Sequence, residues 1–508
     1  MILSKENLQH VKGAGILVPE ISLFELPERV LQFGTGVLLR ALPDYFIDKA
    51  NRRGIFNGRI VVVKSTSNGG ISTFEQQNNL YTLCIRGIED GKTVEENIIS
   101  SAISRVITAD QDWLSVLEFA QHPELKVIIS NTTEVGIALV KERIDQNPPA
   151  SFPAKLLAVL FERYKKFKGH SEGGLVVIPT ELVPDNGKKL ESIVQELAIF
   201  NELGDAFLSW LDLNVEFCSS LVDRIVPGKP DPATLAALEK ELGYQDQLLS
   251  MAEPYRLWAI EGSKHAASLL SFSEADPGVV VTDDIERFRE LKVRLLNGTH
   301  TLSCGIAVLA EIDTVKNGMT DPLLSAYIKA LMELEIGPAI PYKIDKEAIL
   351  AFSNTVADRF ANPFIEHQWI NITVQYSMKM KIRILPLLLN YQQLFQKVPQ
   401  HIAFGFAAFL FFMKSEEKDG KYYSGSEGLH YLINDDSAAY FHGKLQAAPS
   451  EQAYLDAIFN DTEFWGTDLN MLKGFKEAVS AYYRNIQQDG VKNALQKELI
   501  SGKRGVIL

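Results

Sequence analysis

The chain carries 508 residues, 46% of them hydrophobic, with 51 Lys or Arg set against 64 Asp or Glu for a net charge of −13. That is more chain than one core ordinarily holds, so two or more domains are expected. An acidic balance with no basic block argues against nucleic acid or an anionic membrane as partner and leaves a small molecule as the expected one.

Taken in order, the first half alternates strand-like and helix-like segments. "RVLQFGTG" (Arg29–Gly36) reads as a strand that leads into a helix running to Ala50, followed by the strand "RIVVVKS" (Arg59–Ser65). "LKVIISNTTE" (Leu125–Glu134), a helix over Ser151–Phe167, "GLVVIPTE" (Gly174–Glu181), a further helix and "NVEFCSSLVDRIVP" (Asn214–Pro227) continue the pattern. "YRLWAIEG" and "GVVVTDD" read as the last strands. Short β-branched runs separated by helices predict βαβ units and a mostly parallel sheet.

Beyond Ile285 helical spacing takes over, as in Lys346–Pro363, Lys381–Val398 and Thr462–Ile486. The expected architecture is therefore an α/β domain over residues 1–284 and an all-α domain over 285–508. Lys414–Gly428 reads as the one long polar loop. The most apolar run, Ile402–Met413, is too short to span a bilayer and is expected as a buried helix. Cys84, Cys218 and Cys304 are widely spaced and odd in number, which suits a reducing compartment. The opening "MILSKENLQH" lacks a signal-peptide plan, so a cytoplasmic location is expected.

Three stretches carry candidate chemistry. "FGTGVLLR" puts Gly34 and Gly36 between the first strand and first helix, where glycines let backbone approach a pyrophosphate. Leu39 holds the third glycine position of G-x-G-x-x-G, so the motif is partial, and a tight turn without a ligand is the alternative. The second strand ends on Lys64 with no carboxylate, which on its own favours a 2′-phosphate and NADP. "SNTTEVG" places Asn131, Thr132 and Glu134 at a strand's C-terminal edge, and "FCSSLVDRIVP" places Asp223 and Arg224 after another.

In "ELKVRLLNGTH" (Glu290–His300) an apolar helix holds Lys292, Asn297 and His300. At about 100° per residue, Asn297 falls roughly 140° from Lys292 and His300 roughly 80° from it, so all three can share a side. An amine able to exchange a proton beside two donors for a carbonyl oxygen suits hydride transfer to a carbonyl. The alternative is a core helix with a snorkelling lysine, a capping asparagine and a satisfied histidine.

Together these stretches resemble the polyol-specific long-chain dehydrogenase family, the mannitol dehydrogenase group. "FCSSLVDRIVP" resembles its diagnostic motif, K-x4-N-x2-H its catalytic helix, and "FGTGVLLR" and "TTEVG" two further elements. The resemblance implies an N-terminal Rossmann-type domain followed by a helical domain, with no metal. It makes Lys292 the general acid–base and gives Asn297 and His300 the carbonyl oxygen. Cofactor contacts are implied for Gly34, Thr35, Gly36, Val37, Leu38, Arg40, Lys64, Asn131, Thr132, Glu134 and Asp223. Leu182 and Asn371 stand where mannitol-type members carry an asparagine and an arginine, whereas Lys379 keeps the substrate-binding lysine. "YTLCIRGIEDG", "EPYRLWAIEG" and "MKMKIRILP" instead resemble the branch that reduces hexuronates with NADH. That implies NAD despite Lys64, and a cation for the substrate carboxylate: Lys379 first, with Lys381, Arg383 and Arg256 as the others. A sister reductase of the same family, of fructuronate or mannitol type, and a non-catalytic nucleotide-binding regulator are the competing readings.

Overall fold

The computed structural model describes residues 1–13, 15–65, 70–132, 136–426 and 429–505. They fall into two compact units: Met1–Gly87 with Thr93–Ile285, and Ile88–Lys92 with Glu286–Leu508.

The first unit is built on six parallel strands: β1 (Glu28–Phe33), β2 (Arg59–Lys64), β3 (Ile103–Thr108), β4 (Val127–Ser130), β5 (Leu175–Pro179) and β6 (Val215–Phe217). Their spatial order, β3-β2-β1-β4-β5-β6, is that of a doubly wound sheet. Continuous apolar runs such as "IVVV" and "LVVI" are buried on both faces, as helices on either side require. Strand alternation sends Val30, Ile60, Val62 and Ile129 into one core, and Leu31, Val61, Val63 and Ile128 into the other. The order reverses between β1 and β4, so the crevice where such sheets take ligands opens at the ends of Phe33 and Ser130.

Three local departures from the expected elements have physical causes. The helix expected to run from the glycine turn to Ala50 is two helices, α1 (Val37–Ala41) and α2 (Pro43–Arg52). Leu42 between them leaves the helical region (φ −130°, ψ −78°), because Pro43 crowds the residue before it. The Ala41 carbonyl accepts from Arg224 Nη1, and Arg224 Nε donates to Glu253 O at 2.9 Å. Secondly, "EFCSSLVDRIVP" is not one strand. It leaves the main sheet after β6 and re-forms as β7 (Ser220–Asp223), antiparallel to β8 (Leu257–Glu261), which lies parallel to β9 (Val279–Thr282). The crossing is tight: a Cβ on Gly187 would lie 2.4 Å from Ser219 N. The Asn186 amide closes it, accepting from Ser220 N at 2.8 Å and donating to Pro179 O and Ser220 O. The motif thus joins two sheets. Thirdly, "YTLCIRGIEDGKT" forms a hairpin of Tyr81–Glu89 and Lys92–Ser100, turned by Asp90 and Gly91 at positive φ, within a separate four-stranded sheet.

The second unit is helical. Its centre is Gln400–Phe412, whose phenylalanines make it apolar all round and therefore buried all round. Glu335 accepts from the backbone N–H groups of His401 and Ile402 at 2.9 and 2.8 Å and so caps that helix's first turn. Lys414–Gly428, expected as a loop, instead supplies most of a small antiparallel sheet of Glu416–Lys418, Lys421–Ser426 and Leu429–Leu432, with Asp419–Gly420 as the turn. Three segments of this unit are wound as π-helix: Leu291–Gly298, Leu331–Ile336 and Met380–Ile384.

Cys84, Cys218 and Cys304 are all buried and unpaired, and burial pushes the Cys84 and Cys304 thiols up to about 12. Among the described residues no helix is long and apolar enough to cross a membrane.

Candidate active site

The glycine turn sits at the open end of the crevice. Gly34 takes φ +126°, and a Cβ there would lie 2.9 Å from both Asn131 O and Leu39 Cδ1, so only glycine fits. At Gly36, which is exposed, a Cβ would meet nothing within 4 Å, so the turn keeps clear the space a pyrophosphate needs. Thr35, Val37 and Leu38 are partly exposed beside it, and the first N–H groups of α1 have no intrahelical partner. Leu39 fills the third glycine position and is fully buried, packing under the turn where that glycine would have let the helix approach more closely.

The neighbouring strand ends complete this surface. Asn131 donates to Thr180 Oγ1 at 2.9 Å. Thr132 donates through N and Oγ1 to Glu181 Oε1 at 2.8 and 3.0 Å, and Ser130 Oγ donates to Glu181 Oε2 at 3.2 Å. Glu181, buried at the end of β5, is the residue that sequence reasoning missed; the signal was an acid at a strand's C-terminal end. Lys64 is buried at the end of β2, and Asp223 is buried at the end of β7, in the other sheet. Arg40 departs from expectation. It is buried with its guanidinium donating to Leu248 O and lying over the Tyr81 ring, so it is not on the surface of the turn. Glu134 lies outside the described residues.

In the second unit, the segment carrying Lys292 and Asn297 is not the α-helix assumed from its sequence. Leu291–Gly298 is π-helix, and α-helix begins at Thr299. An i→i+5 ladder stacks residues five apart much as an α-helix stacks residues four apart, so Asn297 sits a turn above Lys292 instead of well around the axis. From Asn297 to His300 is three residues entering α-helix, a further offset of only about 60°. The winding brings the three onto one face. Lys292 and Asn297 are half-buried and His300 is buried.

The His300 ring stacks on Phe360 (4.1 Å between centroids) and meets His367 and Trp369 edge-on at 5.3 and 5.8 Å. Its Nε2 is buried without a hydrogen-bond partner among the described residues. Burial, and then His367, Arg359, Arg383 and Lys379, hold its pKa well below 6.5, so the imidazole is neutral near pH 7. On acidification the unfolded chain takes up a proton here before the folded chain does, so stability falls as pH drops below about 6.5. One such group contributes at most about 1.4 kcal/mol per pH unit. His300→Asn should therefore flatten the stability loss seen by urea unfolding between neutral and mildly acidic pH. An unchanged slope would mean that the ring protonates in the folded state.

The segment is fixed by Arg294. It forms a two-pronged ion pair with Glu290 (3.0 and 3.2 Å) and donates to Ile382 O and Arg383 O on the π turn Met380–Ile384. The candidate cations differ in employment. Lys379 donates to Ile372 O at 2.8 Å, and Lys381 lies 3.5 Å above the Phe464 ring. Arg383 Nη1 donates to Thr301 Oγ1 and Asn297 O at 3.2 and 3.4 Å, against the segment that carries Asn297 and His300. Arg256, in the first unit just ahead of β8, is committed to Asp276 at 2.9 Å and to Pro254 O. Among the described residues no group of three or more His, Cys, Asp or Glu side chains could hold a metal ion.

A doubly wound sheet with an open glycine turn, followed by a helical unit, defines a two-part Rossmann-type protein. The mannitol dehydrogenase Rossmann domain is matched over residues 28–274 and the mannitol dehydrogenase C-terminal domain over residues 284–487. The chain belongs to the mannitol dehydrogenase family. It is 37% identical to an altronate oxidoreductase of Halalkalibacterium halodurans, covering 93% of each chain, and 34% identical to one of Bacillus subtilis, covering 94% of this chain and 96% of that one. Among solved structures, mannitol 2-dehydrogenase of Pseudomonas fluorescens, in ternary complex with NAD and D-mannitol, is similar in fold. Its TM-score is 0.66 at 22% identity, covering 98% of this chain and 99% of that one. A substrate-free D-sorbitol dehydrogenase gives a TM-score of 0.77 at 19% identity, covering 97% of this chain and all of that one.

Proposed function

We propose that this protein is an NAD(H)-dependent oxidoreductase that reduces D-tagaturonate to D-altronate in hexuronate breakdown. The observation that carries the reading is the neutral, buried His300, its Nε2 unpartnered among the described residues, in the combined field of Arg359, Lys379 and Arg383. A ketone oxygen needs the first part, and an anionic substrate gives a purpose to the second. Relatives named altronate oxidoreductase along nearly the full chain support the same substrate class.

NADH, when bound, supplies the hydride, and the open turn at Gly34–Leu38 with Asn131 and Thr132 suits its pyrophosphate and ribose. The chain's own residues do the rest. Asn297 and the Nε2–H of His300 donate to the carbonyl oxygen as it gains charge. Lys292 gives that oxygen a proton, and in the oxidative direction it takes the proton back. A ketone, NADH and a proton thus become an alcohol and NAD. The substrate is a small molecule, with neither nucleic acid nor membrane as partner, and the buried, unpaired thiols suit a cytoplasmic setting.

The test is loss of NADH absorbance with tagaturonate, fructuronate and fructose side by side, repeated with NADPH. Tagaturonate should be preferred, with NADH. Faster turnover of fructuronate would move the protein to a sister reductase, faster fructose would make it mannitol-type, and a large NADPH preference would give Lys64 the deciding role. No turnover of any of the three would leave a nucleotide-binding regulator.

A further inference from the structure

Arg383 is less fully partnered than Arg294 or Arg163. Arg294 has a carboxylate and two carbonyls. Arg163 has four carbonyls, those of Gly173, Ala120, His122 and Leu125. Arg383, partly buried, has one long bond to the Asn297 carbonyl and one to the Thr301 hydroxyl, both through Nη1. Its Nε and Nη2 make no hydrogen bond, and no carboxylate pairs with it, among the described residues. Burial works against its charge. A desolvated cation without a counter-charge is costly.

Lys379, four residues earlier, is better provided for. Its ammonium is held by Ile372 O, and Asp435 lies in its field. Arg383 therefore has the unmet charge, and its remaining N–H groups form the fork that fits a carboxylate with two parallel bonds. Its anchor points, Asn297 and Thr301, bracket His300 on the segment where the carbonyl oxygen is held.

We propose that Arg383 binds the substrate's carboxylate through Nε and Nη2, and that it, and not Lys379, makes the site select sugar acids over neutral sugars. This rests on the keto-sugar-acid reading above. It assigns each end of the substrate to one short stretch of chain: the ketone to Asn297 and His300, and the acid to the arginine that their helix supports.

The experiment compares kcat/KM for a keto-hexuronate and for a neutral ketohexose in the wild type, Arg383→Gln, Arg383→Lys and Lys379→Gln, with NADH saturating. Affinities for a hexonate and a hexitol are read alongside from the fluorescence of Trp369, which lies 5.8 Å from the His300 ring. Arg383→Gln should lower the acid-to-neutral ratio about 100-fold or more, chiefly through KM, because the acid loses its charged partner. Arg383→Lys should recover part of the ratio, and Lys379→Gln should shift it less. Equal losses for both substrates would reduce Arg383 to a structural role, and a larger shift with Lys379→Gln would transfer the assignment to the lysine. A wild type that turns over neutral ketose but no keto acid would overturn the functional reading itself, before any variant is compared.

Discussion

Lys292→Ala should lower kcat by roughly 10²–10⁴-fold while NADH still binds, the range spanned by loss of a positioned general acid–base. The separation is expected because the glycine turn and the strand ends beside it belong to the first unit, whereas Lys292 belongs to the second. On the proposed mechanism, removing the amine leaves Asn297 and His300 to polarise the carbonyl, so a residual rate should remain. External primary amines should restore part of it, since the truncation leaves room beside Asn297 without altering the helix that carries it. The measurement is single-turnover NADH oxidation together with quenching of protein fluorescence by NADH. A variant with wild-type kcat would remove Lys292 from the mechanism, and one that no longer bound NADH would show that the residue supports the fold.

Arg294→Met should cost about 3–5 kcal/mol of stability, the usual consequence of leaving one member of a buried ion pair alone. Glu290 would lose its two-pronged ion-pair partner, and the Ile382 and Arg383 carbonyls would each lose a donor. In a unit of this size the melting temperature should fall by about 10 °C. The double variant Glu290→Met/Arg294→Met should regain a large part of that loss, because no charge is then stranded. Circular dichroism melts of the three variants test this. A fall of less than about 1 kcal/mol in the single variant would mean that Glu290 finds water or another donor. The double variant should remain slow even where it is stable, since the Arg294 bonds from the Lys292–Asn297 segment to the Ile382 and Arg383 carbonyls are gone.

The parts that were legible in the sequence were those governed by period and by composition. β-branched runs marked five of the six parallel strands because strands buried on both faces have few other options, whereas the edge strand Ile103–Thr108, interrupted by Ser104 and Arg105, went unread; the phenylalanine-rich run could only be a buried helix. What escaped the sequence lay in backbone geometry. K-x4-N-x2-H, laid on an α-helix, put Lys292 and Asn297 on one side but well apart around the axis; the π-helix of Leu291–Gly298 brings them closer to alignment, and no residue type announces that winding. The break at Leu42 was signalled by Pro43, and both hairpins by their Asp-Gly turns at 90–91 and 419–420. Those signals were local and were outweighed by the helical or polar character of their surroundings. "FCSS" read as strand because each half is strand; that it crosses between sheets depends on Gly187, thirty residues away. The burial of Arg40 likewise depends on Leu248 and Tyr81, partners that adjacency in the sequence does not reveal.

The three thiols give the molecule an internal clock. Cys84 and Cys218 belong to the first unit and Cys304 to the helix that follows Asn297. Because burial suppresses each thiolate, an alkylating reagent can react only during moments when the surrounding packing opens. The order in which the cysteines become labelled therefore records which unit opens first. Any ligand that quietens Cys304 while leaving Cys84 unaffected reports tightening of the helix that carries His300 alone.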